Sequence, residues 1–134
     1  MAKGYQANQD RVAIIKSFGK ELARRSRSKC ELCETTGAAL SVFEIPPESK
    51  NEPEVDRCLF LCENCHEQAG NLKRFKPGEH WRCLAQTVWS ETPAVQVLAS
   101  RMLRRQAKSQ PWAQEALDGV FLDEEVEAWS LEAE

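Results

Sequence analysis

Four cysteines fall into two pairs with the same internal spacing, Cys30-x-x-Cys33 in "KCELCE" and Cys62-x-x-Cys65 in "LFLCENCHEQ". A gap of two residues makes a tight turn that aims both sulfurs the same way, so each pair can offer two thiolates to one ion. Two such turns complete a tetrahedral all-thiolate set, the closed geometry of structural zinc. The spacing therefore predicts one Zn2+ held by Cys30, Cys33, Cys62 and Cys65. A thioredoxin-like redox pair uses the same C-x-x-C spacing, but the βαβ surroundings it requires are absent. Cys58 and Cys83 lie outside the pattern and read as buried apolar thiols. His66 directly follows Cys65 and could replace one cysteine; with four thiolates filling the site, it is placed outside.

The elements around the pairs follow from hydrophobic periodicity and turn residues. Between them, "LSVFEI" reads as a short strand ended by Pro46-Pro47, "ESKNEPEVD" as a loop and "RCLFL" as a second strand. A helix then opens on the second pair through "CENCHEQAGNLKR" and is weakened at Gly70. A β-hairpin and a helix around one zinc is a treble-clef arrangement, and the amides at the helix start would stabilise the thiolates. Before it, Val12, Ile15, Phe18 and Leu22 mark one face of an amphipathic helix from Gln9 to about Arg27. After it, Trp81, Leu84, Ala85 and Val88 form a short helical stripe. Thr92-Pro93 starts a longer helix, Pro111 a short one, and Asp123 caps a last, acidic one. The four tryptophans, at 81, 89, 112 and 129, read as core anchors because each has apolar neighbours.

The expected fold class is thus α+β and mostly helical. It is a single domain over 1–134: a basic amphipathic helix at 1–29, a treble-clef zinc unit at 30–76 and a helical region at 77–134. A chain of 134 residues with 42% hydrophobic content has a modest core, which favours an added staple such as a metal. No apolar run is long enough to cross a membrane, and the first residues lack the apolar stretch of a secretory signal. A cytoplasmic location is therefore expected, where cysteines serve as ligands or free thiols rather than disulfides.

The net charge of −3 conceals an asymmetry. Residues 1–29 hold eight Lys and Arg against two acids, whereas residues 110–134 hold eight acids and no Lys or Arg. Arg24, Arg25, Arg27 and Lys29 stand beside the first cysteine pair, and Lys73, Arg74 and Lys76 follow the second. If the zinc unit brings the two groups together, they form a positive patch suited to phosphates or nucleic acid. The opposed charges at the two ends also suit a protein partner or a homodimer.

"LFLCENCHEQ", preceded by "CELC" and a strand ending "EIPP", resembles the HNH treble-clef family. The resemblance implies zinc cysteines at Cys30, Cys33, Cys62 and Cys65 and matches the family's last histidine to His66. The catalytic histidine's position holds Glu44, and the asparagine's position falls near Arg57. HNH chemistry needs a neutral imidazole as base and a catalytic metal, and a carboxylate at Glu44 repels a phosphodiester. As an enzyme, the chain would rely on Glu44 and His66, with Arg57 as a phosphate clamp, in a degenerate nuclease or a phosphonate hydrolase. A broader resemblance runs through "FGKELARRSRSKCELCE", "DRCLFLCENC", "HWRCLAQTVWSETPAVQVLASRML" and "WAQEALDGVFLDEEVEAW", which look like the PhnA-like proteins of alkylphosphonate-utilisation operons. That family implies a small, cytoplasmic, zinc-associated protein. The combined expectation is a non-catalytic zinc module with a nucleic-acid or protein partner.

Overall fold

The two expected strands pair as an antiparallel hairpin, β1 (Leu40–Glu44) with β2 (Cys58–Cys62), placing Leu40 opposite Cys62 and Glu44 opposite Cys58. The structure is a computed structural model describing residues 2–48 and 52–132, with the side chains of residues 2–8 and 72 outside the description. Residues 49–51 of the expected loop also lie outside it. Leu59 and Leu61 on one side of β2 and Cys58 and Cys62 on the other are all buried, so the strand is covered on both faces. That is why it reads as an unbroken apolar run.

The N-terminal segment is two helices rather than one, α1 (Ala2–Ser17) and α2 (Gly19–Ser26). Phe18 stands between them, its N–H bonded 3.1 Å away to Ile15 O, and Gly19 opens the second helix. A glycine inside a helix costs about 1 kcal/mol relative to alanine, so the weakest point of the periodic run is where the helix breaks. α2 ends with Arg27 and Ser28 in left-handed backbone (φ 58° and 61°), and Ser28 N–H bonds Ala23 O at 2.9 Å.

α3 (Glu63–Gly70) begins at the second cysteine pair with Cys62 as its N-cap and stops at Gly70; the basic residues beyond it form a separate 3-10 turn over Leu72–Arg74. The remaining helices are α4 (Leu84–Thr87), α5 (Pro93–Ala107), α6 (Pro111–Gly119) and α7 (Glu124–Leu131). Among the described residues the fold is therefore mostly helical, with one two-stranded sheet. α5 is the centre of the helical part. Val97, Leu98, Ala99, Met102 and Leu103 are buried, and the helix packs against α4, α6, α7 and β2.

One continuous apolar cluster links the two halves, from Cys30 and Leu32 through Leu59, Leu61 and Trp81 to Leu98, Leu103 and Val126. Trp81 is fully buried, and its indole N–H donates to Gln68 Oε1 at 3.1 Å. The same oxygen accepts the Lys76 amide at 2.8 Å, so one glutamine on α3 satisfies the buried indole and ties down the loop that follows. Trp89 departs from the core-anchor expectation: it is 59% exposed. Thr87 and Val88 take the inward positions at the end of α4, which leaves Trp89 on the solvent side.

Candidate metal centre

The first cysteine turn is locked to the hairpin by Glu31, the residue between its cysteines. Its backbone N–H donates to Phe60 O and its carboxylate accepts the Phe60 N–H, both at 2.9 Å. Arg25 of α2 clamps the same carboxylate through Nε and Nη2, at 2.9 and 2.7 Å, and Nη2 also donates to Cys58 O at 2.8 Å. Within the turn, Glu34 N–H reaches Cys30 O at 2.9 Å and Cys30 N–H reaches Thr35 O at 3.1 Å. From the helical side, the Thr87 hydroxyl donates to Leu32 O at 2.8 Å. The second pair comes from the end of β2 and the first turn of α3, so the strand-to-helix junction sets its position.

These supports bring the four sulfurs of Cys30, Cys33, Cys62 and Cys65 within 4.8 Å of one another. Cys33 Sγ and Cys62 Sγ are 3.8 Å apart, far beyond a disulfide. At a Zn–S bond of about 2.3 Å, a regular tetrahedron spaces its sulfurs about 3.8 Å apart, so this edge already has the length that zinc needs. The donor set fits the ion in number, type and spacing.

Charge balance points the same way. A hydrogen bond from Cys65 lowers the Cys30 thiol to about 4, with further help from the Cys33, Cys62 and Leu32 amides against the cost of burial. Cys65 is pushed up, first by donating that bond and then by burial. Cys33 is pushed up to about 12, mainly by burial. Cys30 therefore favours its thiolate while Cys33 and Cys65 keep their protons, because neighbouring thiolates repel in a medium that hydrates them poorly. A dication reverses that preference and takes the deprotonated form.

His80, to which the sequence reading gave no role, is also at the cluster. Its Nε2 lies 3.4 Å from Cys65 Sγ and 3.3 Å from the Asn64 amide nitrogen. No spacing rule points to it, because the turn after α3 brings it back across fifteen residues. A groove of about 500 Å3, lined by Cys33, Cys62, Asn64, Glu67 and His80 among others, opens beside the sulfurs, so one edge of the centre is reachable from solvent.

The other sequence-derived candidates are dispersed. Glu44 is bound by Arg11 of α1, whose Nη2 lies 2.7 and 2.6 Å from its two carboxylate oxygens. His66 stacks edge-on against Phe43, with ring centroids 5.2 Å apart. Phe43 and Glu44 are consecutive in β1, so they point to opposite faces of the hairpin and carry His66 and Glu44 apart. Arg57 lies over the Trp129 ring, 4.4 Å from its centroid, and Arg74 pairs with Glu67 at 2.6 Å. With Arg25 held by Glu31, three of the eight cations proposed for phosphate have protein partners; Arg24, Arg27, Lys29, Lys73 and Lys76 are exposed.

Comparison with family models, with curated proteins and with solved structures finds no match. Among the described residues, no helix is long and apolar enough to cross a membrane.

Proposed function

We propose that this chain is a small zinc-stabilised module of treble-clef type, in which Cys30, Cys33, Cys62 and Cys65 hold one Zn2+ and the surrounding helices present a surface to a macromolecular partner. The observation that carries the reading is the convergence of four sulfurs from two distant turns within 4.8 Å. An all-thiolate site leaves no open coordination position, and so favours a structural over a catalytic ion. The hairpin with its following helix supports the treble-clef description. The segments quoted above carry membership of the PhnA-like family into this proposal, with the phosphonate connection that it implies. A cytoplasmic location belongs to the same reading and is supported by six cysteines that are all free thiols. The Glu44–Arg11 ion pair and the separation of Glu44 from His66 favour this reading over a degenerate nuclease or phosphonate hydrolase.

Elemental analysis of protein purified without added metal is the test, with an expected stoichiometry of about one zinc per chain. Cys30→Ser, Cys33→Ser, Cys62→Ser and Cys65→Ser each lose tight binding, whereas Cys58→Ala and Cys83→Ala keep it. A chain without stoichiometric metal, or one whose metal survives loss of Cys33 or Cys62, removes the proposal.

A further inference from the structure

His80 stands at the solvent edge of the sulfur cluster, and a chain of hydrogen bonds fixes what its ring nitrogen offers there. The Trp81 indole N–H and the Lys76 amide N–H can only donate, and both reach Gln68 Oε1, at 3.1 and 2.8 Å. Gln68 therefore turns its amide nitrogen the other way, where it donates to Asn64 Oδ1 at 2.9 Å. That leaves the amide nitrogen of Asn64 toward His80, 3.3 Å from Nε2. An amide nitrogen donates and does not accept, so His80 Nε2 is the acceptor and carries a lone pair rather than a hydrogen. Edge contact with the buried Trp81, ring centroids 4.6 Å apart, holds the imidazole in place.

The same nitrogen lies 3.4 Å from Cys65 Sγ. With a Zn–N bond of about 2.0–2.1 Å and a Zn–S bond of about 2.3 Å, a tetrahedral ion spaces its nitrogen and sulfur about 3.6 Å apart, so one ion can span this pair. Among the described residues, the donors within 4.8 Å of one another are the four sulfurs, with His80 outside the set. It is thus a neighbour of the resting centre rather than a member. Its bond from Asn64 is long and weak, so an incoming ion displaces it at little cost. Approach is open, because His80, Cys33 and Cys62 line one groove of about 500 Å3. Cys33 is half-buried there, whereas Cys30 and Cys65 are fully buried. Glu63 and Glu67 line the same groove, Glu67 paired with Arg74, and carboxylates at an entrance draw cations rather than anions.

We propose that His80 is the entry and exit ligand of the metal centre: as Zn2+ passes between the groove and the sulfurs, His80 Nε2 and Cys65 exchange places on the ion while Cys30, Cys33 and Cys62 hold it. The proposal rests on the zinc reading above and adds the route by which that ion exchanges while the chain stays folded. On entry the Zn–N bond replaces a bound water and breaks as the Cys65 sulfur binds, its thiol proton passing to water; on exit the order reverses. The ion keeps four donors throughout, because the imidazole takes up the position that the sulfur gives up. A second role, donation of a hydrogen bond to a resting thiolate, requires a hydrogen on Nε2, and the Asn64 amide occupies that direction as a donor.

The two roles move metal exchange in opposite directions. The test mixes the full, zinc-loaded chain with an excess of isotopically enriched Zn2+ and follows the bound isotope by mass spectrometry. His80→Ala is expected to keep one zinc per chain, with affinity in chelator competition and melting temperature unchanged. Its exchange slows about tenfold or more, the size usual for residues next to a metal's ligand set. His80→Cys, which can bind the ion, recovers the rate, and His80→Gln, which can only hydrogen-bond, does not.

Exchange indifferent to His80→Ala overturns the proposal, since the ion then leaves by another route. Faster exchange with weaker affinity also overturns it, because that is the loss of a hydrogen bond to a resting thiolate. Equal rates in His80→Cys and His80→Gln do the same. Any of these results in a chain with stoichiometric zinc refutes this inference and leaves the metal centre standing. A chain that binds no zinc removes the metal centre, and His80's role with it.

Discussion

Cys58 and Cys30 are both fully buried thiols, yet their surroundings drive them in opposite directions. Cys30 sits among hydrogen-bond donors that favour its thiolate. Cys58 donates to Glu54 O at 3.4 Å and is raised from 9.0 to about 11 by burial and by the Glu44 carboxylate, only partly opposed by Arg25 and Arg11. A thiol whose folded value is raised adds stability that is fully present below its unfolded value and lost as the pH climbs to the folded one. For Cys58 that window is pH 9 to about 11. Melting of the zinc-loaded protein across this range is expected to lose up to about 2 kcal/mol that Cys58→Ala lacks, and native alkylation at pH 8 should leave Cys58 unmodified. The spacing of the cysteines was enough to pick out the four that cluster from Cys58 and Cys83, because a C-x-x-C turn is a local device. The exposure of Trp89 was not legible, because it depends on which side of α4 meets the core.

At the scale of elements, two arginines, half-buried Arg25 and buried Arg101, hold the fold by binding groups that would otherwise be left unpaired. Arg25 satisfies Glu31, whose side chain is 5% exposed. Arg25→Ala leaves that carboxylate buried without a counter-charge, so chemical denaturation should show a loss of about 3–5 kcal/mol; Glu31→Gln with Arg25→Met should recover part of it. Arg101, on α5, is 2% exposed and acts on the end of α7. Its Nε and Nη2 donate to Ser130 O, Trp129 O and Glu132 O at 3.1, 2.8 and 2.8 Å, and its Nη1 donates to Pro46 O. A helix leaves its last carbonyls unpaired, and a cation there answers both the missing donors and the dipole. Arg101→Met is expected to destabilise the protein by about 3 kcal/mol and to increase amide exchange in α7 first. The sequence marked where α5 and α7 begin, from Thr92-Pro93 and Asp123, and both residues stand at the N-cap, although neither side chain makes a capping bond. It did not mark how α7 ends, since its C-terminal partner lies on another helix.

Across the whole molecule, the four-cysteine unit and the helical region share one apolar cluster, so with zinc bound as proposed, metal and fold should be lost together. Calorimetry of the zinc-loaded protein is expected to show one transition that moves to higher temperature with free zinc, as linkage requires. After chelation, far- and near-ultraviolet circular dichroism should collapse in parallel. Survival of the full signal would show that hydrophobic packing alone suffices. Among the described residues, ion pairs of the basic segment run to Glu44 and Glu31 around the hairpin, while Arg101 and Arg104 secure α7 through its carbonyls and Ser130.

Taken by itself, the sequence determined which four cysteines converge, the hairpin, the start of α3 and the order of the helices. These rest on spacing, periodicity and turn residues that act within a few positions of one another. Only the tertiary structure decided that the N-terminal run breaks at Phe18, that Glu44 is taken by Arg11 and His66 faces the other side, that His80 returns to the sulfurs, and that Trp89 stays in water. Each of these depends on which surfaces meet across tens of residues, and no local pattern encodes that.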